Sequence, residues 1–232
     1  MRKIITVFQR NYETDRLVRD ELVPGAEWVL AGEGIATRKW DGACTMVRCG
    51  QLFKRYELKR ENRPKIAPPG FEPMQAPDEV TGAIPGWVPV GEGPEDKWFR
   101  VARANVLNAG DGHEGSLEDG TYEAIGPHFG GGHHDKNPEG CPFDMLLPHG
   151  KEIVTNFPHS FGRMRQYFLD MGRDFAAYDA TQDSPVIALL GGPSIEGVVF
   201  HHPDGRMAKI KARDFGIKRP SSLLAFYLPV QR

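Results

Sequence analysis

Residues 195–213 read IEGVVFHHPDGRMAKIKAR, two strand-like runs on either side of a turn. The apolar run Gly197–His201 and the alternating run Met207–Lys211 flank His202-Pro203-Asp204-Gly205. A Pro-Asp-Gly sequence in that position closes a β-hairpin. Side chains alternate along a strand with period two, so Lys209 and Lys211 fall on one face. Two ammonium groups on one face repel each other and make poor core. An anion between them would account for the arrangement, and together they would depress the pKa of a third lysine nearby.

The same style of segment recurs along the chain. Trp28–Leu30, Ala43–Cys49, Leu52–Leu58, Thr121–Ile125 and Met145–Leu147 are short β candidates separated by Gly/Pro turns. Helices are fewer. Ser160–Met171 places Phe161, Met164, Phe168 and Met171 at helical spacing, the pattern of core packing, and Asp15–Leu22 and Trp98–Val106 are weaker candidates. Residues 64–94 hold eight of the 19 prolines together with the apolar anchors Phe71, Ile84 and Trp87, which suits an ordered insert lying on the domain surface rather than a free linker. These features predict an α+β chain with mostly antiparallel sheets, 1–232 forming a single domain with its Pro-rich insert at about 64–94.

Composition sets the outer limits. The 232 residues are 40% hydrophobic and 26% charged, and 27 glycines with 19 prolines make a loop-rich but folded protein. No run approaches the length of a transmembrane helix, so no membrane partner is expected. The first residues, MRKIITVFQRNYETDR, lack an apolar secretion core, and the odd set Cys44, Cys49 and Cys141 without CxxC spacing suits a reducing, cytoplasmic compartment. The net charge is −2, but residues 51–65 and 206–219 are locally basic. They are either parts of a focused anionic site or two solvated faces.

Four segments carry chemistry. TRKWDG (37–42) offers Lys39 as a nucleophile beside Asp41, provided that burial or nearby cations favour its neutral form. GTYEAIGP (120–127) embeds Glu123 in a strand, where it faces a ligand or metal or else stands exposed. IEGVVF (195–200) puts Glu196 at the mouth of an apolar strand, a hard-oxygen position suited to magnesium. KIK (209–211) supplies the paired lysines. A fifth stretch, Gly130–Asp135, joins a Gly run to His133, His134 and Asp135. It follows no P-loop pattern, and a solvated loop is the better reading.

The ordered series KWDG, YEAIGP, EGVVF and KIK resembles motifs I, III, IV and V of the covalent nucleotidyltransferases, the superfamily of ATP-dependent DNA ligases, RNA ligases and mRNA capping enzymes. Leu52–Tyr56 looks like motif Ia, and the run from Asn137 to Gly150 looks like the region after motif III in RNA ligases. The resemblance covers roughly residues 30–215. It implies two mostly antiparallel β-sheets with flanking helices, an ATP-grasp-like ligase adenylation domain. Lys39 would attack the α-phosphate of ATP and form lysyl-AMP. Asp41 would help organise the ribose or the metal's water shell, and Arg55 would contact ribose or the incoming phosphate. Glu123 would contact the ribose or a metal-bound water, and Glu196 would hold Mg²⁺ or Mn²⁺. Lys209 and Lys211 would bracket the α-phosphate, and Phe143 is the candidate for stacking on adenine.

Only 21 residues follow Lys211, too few for an OB domain. The resemblance is therefore to a short stand-alone RNA ligase that joins 5′-phosphate to 3′-hydroxyl RNA ends, with a protein partner as one source of further substrate binding. Trp87 and Trp98 are either core or stacking platforms for RNA. The alternatives are an adenylyltransferase that does not seal and a catalytically inactive RNA-end binding module.

Overall fold

The computed structural model describes residues 4–59, 67–79, 81–109, 117–130, 137, 139–171 and 195–218. Residues 131–135 of the Gly/His stretch, and Arg60, Arg63, Lys65 and Arg219 of the basic stretches, lie outside these. The first elements are β1 (Ile5–Thr6), β2 (Phe8–Arg10), β3 (Val18–Leu22), helix α1 (Glu27–Leu30), β4 (Ile35–Lys39), β5 (Ala43–Arg48) and β6 (Gln51–Leu58). Next come β7 (Glu72–Pro73), β8 (Ile84–Pro89), α2 (Lys97–Ala109), β9 (Gly120–Ile125) and β10 (Met145–Pro148). The last are α3 (Phe161–Met171), β11 (Gly197–His201) and β12 (Met207–Lys211). The expected α+β class with mostly antiparallel sheets is what the structure shows. No helix among the described residues is long and apolar enough to cross a membrane.

The described residues form two compact units, one from 42–59, 67–79, 81–109, 117–130, 137 and 142–148, the other from 4–41, 139–141, 149–171 and 195–218. The second unit is built on a four-stranded sheet in the order β1-β12-β11-β4, joined by the β2-β3 ribbon. β11 and β12 pair antiparallel around the His202–Gly205 turn, as the Pro-Asp-Gly signal predicts. Alternation then sorts the side chains. Val198, Phe200, Ala208 and Ile210 bury one face of the sheet in a core shared with Phe8, Trp28, Phe157, Met164, Phe168 and Phe215. α3 contributes Met164 and Phe168 at the spacing read from the sequence, and Phe157 meets Phe200 edge-on at 5.6 Å.

Two expected elements change type. Trp28–Leu30 is not a strand but part of α1, where Trp28 Nε1 donates to the Gly25 carbonyl at 2.9 Å and Trp28 and Val29 are both buried. Consecutive residues of a strand face opposite sides, whereas one helical turn packs both on a single core, and a run of three apolar residues is too short to tell the two apart. Asp15–Leu22 is not a helix. The Asn11 carboxamide accepts the N–H groups of Glu13 and Thr14, Asp15 accepts that of Leu17, and these local bonds hold a turn that leads into β3.

The other unit carries a six-stranded antiparallel sheet in the order β10-β9-β5-β6-β8-β7. α2, which contains the expected Trp98–Val106 helix, packs Ala102 with Phe99 and Val106 against Val47, Leu52, Tyr122 and Leu146. In the Pro-rich region β8 pairs with β6 and β7. Gly86 lies so close to Phe71 and the Glu72 carbonyl that no Cβ fits there. Trp87 is only 5% exposed and packs as core, which removes it as a stacking platform.

Candidate active site

The outer face of the four-stranded sheet gathers the lysines. In register, Gly197 of β11 lies between Lys39 of β4 and Lys211 of β12, and Val199 lies between Thr37 and Lys209. Lys39, Lys209 and Lys211 therefore project from the face opposite the apolar core. A side chain at position 197 would run into the backbone of Ile210 and Lys211, so glycine is required where the three strands approach. Glu196, immediately before β11, brings its buried carboxylate to both flanking lysines. It accepts from Lys39 Nζ at 2.5 Å through Oε2 and from Lys211 Nζ through Oε1. Lys39 Nζ also donates to the Trp40 carbonyl at 3.3 Å.

Glu196 is paired directly with two lysines, and Lys209 lies close enough to feel the same charges. Burial works against ionisation of Glu196, yet the charges of Lys39 and Lys211 outweigh it and hold its carboxyl below the usual range. Burial, reinforced by the charges of Lys211 and Lys39, lowers Lys209 to about 8, and burial with the charge of Lys39 lowers Lys211 as well. A phosphate oxygen entering this face would relieve the repulsion that depresses both. Glu196 is a hard-oxygen donor held ionised in a partly dry site, which fits a divalent cation such as Mg²⁺.

A second set of buried charges fixes the segment that bears Lys39. Alternation points Arg38 toward the core side of β4, where a lone cation would be costly. Its guanidinium stacks 3.8 Å over the Trp40 ring and donates to Glu139 Oε2 at 2.8 Å and to Glu152 Oε1 at 3.4 Å. Glu139, whose side chain is fully buried, accepts the Asp41 backbone N–H at 2.8 Å through its other oxygen. Burial, together with the charge of Glu139, raises the Glu152 carboxyl despite Arg38. One carboxylate thus ties down the residue before Lys39 and the residue two after it. Glu139 and Glu152 have no assigned role in the sequence reading. The available signal is Arg38 itself, a cation at a core-facing strand position that demands a buried acid.

The remaining sequence-predicted residues lie in the six-stranded unit. Glu123 of β9 is buried and accepts the Gly42 N–H at 3.1 Å, so it is not an exposed strand glutamate. Arg55 of β6 lies across from Trp87 of β8, and Phe143 is among the exposed aromatic side chains. Of the basic stretch 51–65, Lys54 is committed to an ion pair with the buried Asp96.

No protein-family model matches the chain. The chain is similar to RNA ligase 1 of Danio rerio, 28% identical over 164 residues that cover 62% of this chain and 44% of that relative. It therefore spans less than half the length of the protein it matches.

Proposed function

We propose that the protein is an ATP-dependent RNA ligase that works through a covalent lysyl-AMP on Lys39. The observation that carries this reading is the cluster on the outer sheet face, one lysine at the end of β4 sharing a buried carboxylate with a second lysine and bordered by a third. Similarity to a protein named RNA ligase 1 supports the same class.

Lys39 Nζ, once it has given up a proton, attacks the α-phosphorus of ATP. An N–P bond forms, the bond to the β-phosphate oxygen breaks, and pyrophosphate leaves. Lys209 and Lys211 stand where they can donate to the α-phosphate oxygens as charge spreads over them. Glu196 keeps Lys39 aimed along the sheet face before reaction and would hold the divalent cation when nucleotide arrives. A bound Mg²⁺ or Mn²⁺ would contribute charge neutralisation on the phosphates. Glu139 and Arg38 hold the 38–41 backbone, so the nucleophile is positioned before substrate binds. AMP would then pass to an RNA 5′-phosphate, and a 3′-hydroxyl would displace it to seal the strand. The roles of Asp41, Arg55, Glu123 and Phe143 in nucleotide binding rest on the motif resemblance.

Incubation with ATP labelled at the α-phosphate and Mg²⁺, followed by denaturation, tests the first step. Acid-labile label on the wild type and none on Lys39→Ala is the expected result. Label followed by failure to seal any RNA end would favour the non-sealing adenylyltransferase.

A further inference from the structure

Within the six-stranded unit one surface histidine is held far more rigidly than its exposure requires. After β9 the chain turns at Gly126, whose φ of 129° and close approach to the Asp144 and Phe143 backbone exclude a side chain. The turn delivers His128 to Asp144. The Asp144 carboxylate, only 3% exposed, accepts the His128 backbone N–H at 3.0 Å through Oδ1 and bonds the ring Nδ1 at 2.7 Å through Oδ2. The Nδ1 edge of the ring thus faces the Asp144 carboxylate. Asn105 of α2 donates to the Asp144 carbonyl at 2.9 Å and anchors the acid in turn.

α2 also supplies Trp98, whose ring lies parallel to the imidazole with centroids 3.2 Å apart and planes 8° from parallel. Lys97 Nζ sits 4.5 Å from the centre of the indole. The imidazole therefore has one face on Trp98 and one edge on Asp144, yet its side chain remains 38% exposed. Trp98 and Asp144 cover one face and the Nδ1 edge, so the opposite face is where a flat ligand could approach. Capping of the turn by Asp144 explains the backbone bond, but not the ring bond or the indole backing.

We propose that the outer face of His128, backed by Trp98, is a stacking platform for a nucleobase of single-stranded RNA. This rests on the RNA-ligase reading and adds a substrate-holding site to it. A flat ring already fixed in orientation loses little freedom when a base stacks on it, and stacking accepts any base because each has a π-face. Lys97 places a cation beside the stack for a neighbouring phosphate.

The test measures binding of a fluorescent, 5′-phosphorylated ten-nucleotide RNA to the 232-residue chain by anisotropy. His128→Leu covers the indole with a side chain that has no flat face and is expected to weaken binding about tenfold. His128→Phe keeps a stackable ring and is expected to bind within about twofold of wild type. Both variants should charge Lys39 from ATP as wild type does. Unchanged binding by His128→Leu, or equal losses in both variants, overturns the platform while leaving the ligase reading intact. A wild type that binds no RNA overturns both. Should the variants fail to fold, photocrosslinking of 5-iodouridine RNA to wild type decides the matter. Crosslinks at His128 or Trp98 support the platform, and crosslinks only elsewhere overturn it.

Discussion

Two lysine–carboxylate pairs, one in each unit, look alike at first sight. Lys54 meets the buried Asp96 in the six-stranded unit, and Lys39 meets the buried Glu196 in the four-stranded unit. Their surroundings differ. Asp96 faces one lysine and takes the Gly91 N–H at 2.8 Å on its other oxygen, so charge and hydrogen bonds balance locally. Glu196 faces two lysines with a third bordering them, and burial together with their mutual repulsion lowers Lys209 and Lys211. The balanced pair ties α2 and its preceding turn to the sheet. Under the proposed function, the lysine-rich cluster is the one suited to receive an anion, whereas the Lys54–Asp96 pair has a structural role.

Exchanging the acids sharpens the contrast most. Glu196→Gln is expected to slow lysyl adenylation by about 100-fold or more while the protein stays folded, since it removes electrostatic positioning at the reacting group. Asp96→Asn leaves the Lys54 ammonium without its counter-charge. It is expected to cost about 3 kcal/mol of stability, at the low end for breaking a buried pair, with a much smaller effect on adenylation. Urea denaturation and single-turnover labelling of both variants measure this, and parallel behaviour of the two would erase the distinction.

A smaller effect is expected at Glu139. Glu139→Gln keeps an acceptor for the Asp41 N–H but loses the charge opposite Arg38, so adenylation should slow about 30-fold through misplacement of Lys39. Such a loss should lie in the rate of chemistry at saturating ATP, and a loss confined to ATP affinity would contradict a positioning role.

The smallest expected effect is a pH dependence. Lys209 titrates near 8 in the folded protein against 10.5 for an ordinary lysine. Between these values the unfolded chain binds the extra proton, so the contribution of Lys209 to stability rises as pH climbs from about 8 toward 10.5. Anion binding has the opposite sign, because phosphate prefers the protonated amine. Pyrophosphate affinity should fall about tenfold as pH rises through 8, and Lys209→Arg should flatten that fall. Calorimetry across pH 7–10 reads both.

Much of this comparison is legible in the sequence, for reasons of period and turn chemistry. Period two alone places Lys209 and Lys211 on one face, and Pro203-Asp204-Gly205 closes the hairpin that carries them. The ordered motifs pick out Lys39 and Glu196, which the sheet then brings into contact. Register is not legible. The hairpin turn brings Gly197 opposite Lys211, but nothing local says that Gly197 also lies opposite Lys39, because that depends on how β4 and β11, more than 150 residues apart in the sequence, align. The partnership of Arg38 with Glu139 spans 101 residues and stays hidden for the same reason. At Trp28–Leu30 and Asp15–Leu22 the segments are too short for periodicity to decide, and a core contact in one and Asx-type turns in the other set the outcome.

The most direct test of the central claim labels wild type, Lys39→Ala and Lys54→Met side by side with α-labelled ATP and Mg²⁺, after circular dichroism shows each variant folded. The account predicts acid-labile covalent AMP on wild type and Lys54→Met and none on Lys39→Ala. Label retained by Lys39→Ala, or absent from wild type confirmed free of pre-bound AMP, would contradict it.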